Sequence, residues 1–237
     1  MTAYIKYAME MQQPEGADRL PHRKLTDWVT AYLRDSIMGG RLKPGERLTM
    51  ISLANKLDVS VTPVREALLR LQEEGVVVGD AHKSFRVASV TLEDIRDFHQ
   101  LHGFISGLLA ERAAEKLTEE DFAELDKLDA AIIQASAEGD HVRMHNLNFE
   151  LHRRINRASD SIVLHRFVTA TSRYVSRRSF PDVPGWLEGA ASEHGALLDA
   201  LRRRDGAGAR RLMEDHVHDS GERLIADLRR RGWAEGP

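Results

Sequence analysis

The sequence predicts a mainly α-helical chain in two parts. A front segment mixes three short helices with a β-hairpin, and an all-helical bundle follows. Three observations carry this prediction. The chain has 237 residues, more than one small module needs at roughly 100–200 residues per domain. Strand signals are confined to residues 76–89. Beyond Val90, hydroxyl or aspartate helix-start signals recur through Thr91, Thr118, Asp140 and Asp205, each ahead of an apolar-periodic stretch.

Taken in order, residues 1–22 lack periodicity and include Pro14, Gly16 and Pro21, which predicts a mobile arm. Leu25, Trp28, Val29, Leu33 and Ile37 mark one face of a helix ending at Gly39-Gly40, where glycine accepts a left-handed C-cap. Pro44-Gly45 signals a turn, and a short helix is expected around Ile51–Leu57. Asp58-Val59-Ser60 separates it from another helix, from about Val61 to Glu74. Pro63 falls in that helix's first turn, where its missing N–H has no intrahelical partner to lose. Gly75 stops the helix. Val76–Val78, a turn beginning at Gly79-Asp80, and Phe85–Ser89 then predict a two-stranded hairpin. Helix, helix, tight turn, helix and hairpin is the order of a winged helix-turn-helix. The expected domain covers 23–89, and 90–233 forms a bundle of about six helices near 92–116, 119–137, 141–158, 161–178, 187–203 and 206–231.

Composition narrows the function. No cysteine is present, which removes thiol catalysis, disulfides and zinc-thiolate sites and fits a reducing cytoplasm. No apolar run approaches the roughly 20 residues of a membrane span, and the N-terminus lacks the apolar core of a secretory signal. The net charge of −3 is unevenly spread. From Arg23 to Arg86, 11 basic residues face 8 acidic ones, whereas residues 90–237 carry 21 against 26. A basic front and an acidic back suit a nucleic-acid reader joined to another kind of domain.

In a helix-turn-helix the second helix enters the major groove. Val64, Leu68 and Leu71 share the core face of the Val61 helix, which turns Thr62 and Glu66 outward with Arg65 and Arg70 beside them. Arg65 suits a phosphate or a guanine edge, and Thr62 a phosphate or thymine methyl. Ser60 sits at the helix start, and His82 and Lys83 at the hairpin tip would bring positive charge to the adjacent groove. For a single arginine, a solvated helix face explains the pattern equally well; the ordered series from Leu53 to Gly75 favours DNA.

That series resembles the GntR family of bacterial transcription regulators, through Ile37, Gly40, Pro44-Gly45, Leu48, Leu53-Ala54, Val59-Ser60 and Thr62–Leu68. Two positions depart from the family pattern: Val61 stands where many members have arginine, and Ser84 where many have glycine. The operator sequence therefore does not transfer from relatives.

In the second half, Asn148 and His152 are spaced i, i+4 on one helix face, with His194 and His216 on two later helices. Three imidazoles and an amide oxygen from three helices are a candidate site for a divalent transition metal. His99, His141, His145, His165 and His218 are expected as background. The second half is similar to the all-helical, FCD-like effector domain of the FadR-type branch of the same family, on Asn148…His152, Glu193-His194 and Met213…His216. The resemblance implies zinc or nickel at Asn148, His152, His194 and His216, touching a carboxylate-bearing effector. Asn148 stands where many relatives have aspartate. His102 and Ser106 stand where relatives place arginine and glutamate, which implies effector contacts of weaker acid preference there, with Arg173 or Arg177 as cations from another helix.

The expectation is a cytoplasmic, homodimeric, ligand-responsive regulator, a repressor, reading palindromic operator DNA through two helices about 34 Å apart. The alternative is a metal-dependent hydrolase with a DNA-localising domain; it would need an open coordination position and a poised base. A third reading makes the front domain a protein-docking module.

Overall fold

A computed structural model describes residues 22–80, 84–174, 183 and 186–233. Residues 1–21 of the expected arm, the hairpin tip with His82 and Lys83, Arg177, and Pro181, Pro184 and Gly185 lie outside the described residues, while His22, expected to end the arm, begins the first helix. The chain divides into two compact units. One runs to Ile37 and resumes over Leu42–Ser89; the other takes Met38–Arg41 and the chain from Val90 onward.

The first unit contains α1 (His22–Met38), β1 (Arg47–Leu48), α2 (Met50–Leu57), α3 (Val61–Glu73), β2 (Val77–Asp80) and β3 (Ser84–Val87). Val29, Leu33 and Ile37 of α1 are fully buried, as are Val64, Ala67, Leu68 and Leu71 of α3. Trp28 instead sits at the edge of this face and stacks on Tyr32 at 5.7 Å. Thr49 caps α2 by accepting from the Ser52 N–H, and Asp58 ends it in the left-handed conformation. Asp58 tolerates that conformation because its short polar side chain can bond locally. Pro63 is the third residue of α3, within the turn whose N–H groups have no intrahelical acceptor. Arg34 of α1 reaches Glu74 at the end of α3 with two hydrogen bonds of 2.8 and 2.6 Å, largely out of solvent.

The wing differs from expectation. Its sheet has three antiparallel strands in the order β1-β3-β2, with Arg47 opposite Arg86 and Leu48 opposite Phe85. A two-residue strand has no period to read, and its partners lie 37 and 39 residues away. Gly79 and Asp80 extend β2, pairing with Phe85 and Ser84, and do not begin the turn.

The second unit contains α4 (Leu92–Lys116), α5 (Glu119–Ala137), α6 (His141–Ala158), α7 (Ile162–Thr171), α8 (Trp186–Arg202) and α9 (Gly206–Arg230). Thr91 and Thr118 form reciprocal capping boxes with Asp94 and Asp121. Asp140 and Asp205 cap α6 and α9. These caps satisfy otherwise unpaired N–H groups, which is why the helix starts match local sequence. The two 25-residue helices, α4 and α9, pack along each other. At Gly221 a Cβ would fall 2.6 Å from His99 Cγ, so only a hydrogen fits between them. α6 and α7 pack against α4, with Leu164 and Val168 of α7 meeting Ile105 and Leu109. α7 ends at Thr171, short of the expected 178. No described helix is long and apolar enough to cross a membrane.

Candidate metal and effector site

In the second unit, His152 of α6, His194 of α8 and His216 of α9 bring one ring nitrogen each to within 4.8 Å of one another. His152 Nε2 and His216 Nε2 are 3.1 Å apart. His216 Nδ1 donates to Glu193 Oε2 at 2.7 Å, and its Nε2 is the nitrogen turned towards His152. Arg223 holds the other Glu193 oxygen at 2.6 Å. Asp129 Oδ1 stands 3.5 Å from Nδ1 of the fully buried His194. Carboxylates behind imidazoles fix the tautomer and make the exposed nitrogen a better ligand.

Electrostatics favour the neutral form of His152 and His194. Burial pushes His152 well below the usual histidine range, and the neighbouring imidazoles of His216, His194 and His102 push the same way. Burial also lowers His194, against the pull of Asp129. Burial raises Glu193, but its bonds to His216 and Arg223 outweigh that and hold it ionised. Neutral imidazole is the form that ligates metal.

The residues fit an ion. His194 Nε2 and Asn148 Oδ1 are buried without a hydrogen-bond partner, and such atoms are rare in native proteins unless a water, ion or ligand meets them. The 3.1 Å nitrogen pair is near the roughly 3.3 Å that two ligands about 2.0–2.1 Å from a tetrahedral ion subtend. The donor set, three imidazoles and an amide oxygen, suits zinc, nickel or a similar divalent ion.

Beside the cluster lies a cavity of about 220 Å³, on the scale of a small molecule. His102 and Ser106 of α4 line it, as do Asn148 and His152 of α6 and His216 of α9. His102 Nδ1 donates to the Thr171 hydroxyl at 2.8 Å, which itself donates to a carbonyl of the same helix. Arg173 is exposed on the turn after α7, outside the lining residues, because α7 stops two residues earlier. Three histidines expected as background, His99, His145 and His165, also line the cavity. On α6 the signal was available: His145, Asn148, Phe149, His152, Arg153 and Asn156 follow a single helical stripe. Asp129 and Arg223 had no such signal.

In the first unit, Ser60, Thr62 and Arg65 are exposed at the head of α3. Ser60 makes no side-chain cap, so its hydroxyl is available to a ligand. Glu66 and Arg70 differ. Glu66 accepts the Thr26 hydroxyl at 2.9 Å, and Arg70 pairs with Asp27 at 2.5 Å, so both face α1. Residues i and i+4 share a face, and here α1 occupies it.

A winged helix-turn-helix that exposes Thr62 and Arg65 at the head of α3, joined to a helical unit holding a histidine-lined cavity, defines the class of DNA-binding transcription regulators. The family model described as bacterial regulatory proteins, gntR family, matches residues 25–87, and the FCD domain model matches residues 97–219. The chain belongs to the GntR family, in its branch with an all-helical FCD domain. It is similar to the HTH-type transcriptional regulator McbR of Escherichia coli, 34% identical over 133 residues, which is 56% of this chain and 60% of McbR. The match thus spans less than two thirds of that relative's length. The HTH-type transcriptional repressor GlaR of E. coli is 28% identical over 78% of this chain and 89% of its own. The solved structure of E. coli McbR/YncC superposes with a TM-score of 0.67 at 27% identity, over 86% of this chain and 98% of that one. These are transcription regulators, and the chain is a regulator, not an enzyme.

Proposed function

We propose that the chain is a homodimeric, ligand-responsive repressor whose domains span 23–89 and 90–233, and whose effector is a small organic acid held with a divalent metal. The observation that carries this reading is the convergence of His152, His194 and His216 beside a cavity, with Asn148 Oδ1 and His194 Nε2 lacking partners. Those four residues would hold the ion, zinc or nickel. When bound, it supplies a Lewis-acidic point for an effector carboxylate. Glu193 orients His216, and Asp129 stands behind His194. His102 and Ser106 offer a hydrogen-bonding wall without permanent charge, so the effector's acidity is met by the metal more than by arginine.

At the DNA, Thr62 and Arg65 enter the major groove and Ser60 meets phosphate; His82 and Lys83 approach the adjacent groove. Glu66 and Arg70 act indirectly, by tying α3 to α1. Effector binding regulates only if it favours one arrangement of the paired heads energetically. The name of the similar GlaR, a repressor, supports the sign of regulation. The test is fluorescence anisotropy on DNA upstream of the chain's own gene, with zinc-loaded and chelated protein, and with a panel of small carboxylates. Saturable binding that Arg65→Ala weakens and a carboxylate modulates only with metal present is expected. Carboxylate responses unaltered by chelation would contradict the metal's role.

A further inference from the structure

The arginines of the first unit fall into two groups. Arg34 and Arg70 are answered by carboxylates, those of Glu74 and Asp27. Arg47 of β1 and Arg86 of β3 are exposed and stand directly opposite each other in the antiparallel ladder. The Cβ atoms of such a pair lie about 4.5–5.5 Å apart, and like charges placed there destabilise a sheet. On its other side Arg86 faces Val78 of β2, also exposed, so neither residue directly opposite it is acidic. Arg86 Nη1 donates to the Gly45 carbonyl at 3.2 Å, which draws its guanidinium towards β1. Glu46, the acid next to Arg47 in sequence, is turned back to accept the Lys43 N–H at 2.9 Å. Arg47 itself makes no ion pair among the described residues.

We propose that Arg47 and Arg86 form a phosphate clamp on the exposed face of the wing sheet, a DNA-backbone contact additional to α3. The proposal rests on the reading of the first unit as a DNA-reading head. A phosphate seated between the two guanidinium groups replaces one repulsion with two attractions. The planar guanidinium fork matches phosphate oxygens, and its charge is permanent. Duplex DNA offers a phosphate about every 3.4 Å of axis on each strand, so a clamp of this width finds one at any register. Arg86 is the third residue of β3, roughly 7 Å along the strand from Ser84, where β3 leaves the hairpin tip. The DNA reading brings that tip to the groove beside α3, and the clamp then meets the phosphates flanking this groove. Phosphates are the same in every sequence. The clamp therefore adds affinity and orientation, and leaves base choice to Thr62 and Arg65.

The test is fluorescence anisotropy on the full chain at several salt concentrations. The probes are DNA upstream of the chain's own gene and an unrelated duplex of equal length. The double variant Arg47→Gln/Arg86→Gln is expected to bind both duplexes about 30-fold more weakly at about 0.15 M salt, with the log–log salt slope reduced by about 2. Arg47→Lys/Arg86→Lys should keep most of the slope, because the charges remain. Without DNA, Arg47→Gln should melt no lower than wild type, since it relieves the opposed charges. A slope unchanged in the double Gln variant, while Arg65→Ala still weakens binding, overturns the clamp alone. A slope lost equally in the Lys variant overturns it as well, because charge would then not carry the effect. So does a loss confined to the upstream DNA, which is the mark of a base contact, or an Arg47→Gln chain that melts lower than wild type. If neither Arg65→Ala nor the double Gln variant alters binding to either duplex, the DNA reading of the first unit fails and takes the clamp with it.

Discussion

The two candidate surfaces of this chain are built in opposite ways. At the head of α3, Thr62 and Arg65 come from one contiguous string and stand exposed. In the helical unit, the histidines come from three helices and are packed into a largely buried cluster, where burial favours the neutral form of His152 and His194. An exposed, permanently charged residue works through long-range attraction and phosphate or base contacts, and its effect fades with salt. A buried imidazole works by being neutral and pre-aimed, and its effect fades with acid. The two surfaces should therefore respond to different perturbations.

The largest expected effect is on metal affinity. His152→Ala or His216→Ala removes a ligand and should weaken zinc binding by more than about 100-fold, read by competition with a chromophoric chelator. Operator binding in the absence of effector tests whether the surfaces separate: if the head works independently, these variants leave it within a few-fold. Next, Arg65→Ala should cost about 1–3 kcal/mol of operator affinity and flatten the salt dependence, measured by anisotropy at several salt concentrations. Zinc content should not change. Glu193→Gln sharpens the contrast, since Glu193 hydrogen-bonds His216 without being one of the candidate ligands. It should lower metal affinity by about 10–100-fold while leaving the three ligands in place.

Much of this was legible in sequence because it is local. The helix starts at Thr91, Thr118, Asp140 and Asp205 are set by side chains three residues from the N–H groups they accept from. Pro63 and the Val64/Leu68/Leu71 spacing place α3 and its core face without knowledge of the partner. Distant pairings were not legible. β1 exists only because Arg47 and Leu48 find Arg86 and Phe85. The destinations of Glu66 and Arg70 were set by Thr26 and Asp27 on α1, some forty residues upstream, so an outward-facing helical wheel position became an intramolecular contact. The candidate ligands could be read because His152, His194 and His216 sit in recognisable local patterns. The residues supporting them, Asp129 and Arg223, could not, because only the packing of α5 and α9 brings them near. His145 lies nearly two turns from His152, too far along the helix to share an ion, yet both line the same cavity.

Smaller effects probe the frame around each surface. His99, almost fully buried between α4 and α9, is held below the usual histidine range by burial. Folded His99 stays neutral while the unfolded side chain protonates near pH 6.5. The unfolded state thus binds the extra proton, and stability falls as pH drops below about 6.5 until the folded value is reached. Denaturant titrations of the metal-free protein between pH 7 and 5 should show this slope, made shallower in His99→Gln. Arg70→Ala should be the mildest change. Its exposed pair with Asp27 contributes at most about 1 kcal/mol of stability, and operator affinity should fall less than in Arg65→Ala. An equal loss would return Arg70 to the DNA face.

The most direct test of the account is metal analysis with native mass spectrometry on the purified chain, beside the His152→Ala/His216→Ala double variant. One divalent ion per chain in the wild type, absent from a folded double variant, is the predicted result. Wild-type protein that stays ion-free after incubation with zinc and with nickel, or a double variant that keeps its ion, would contradict it.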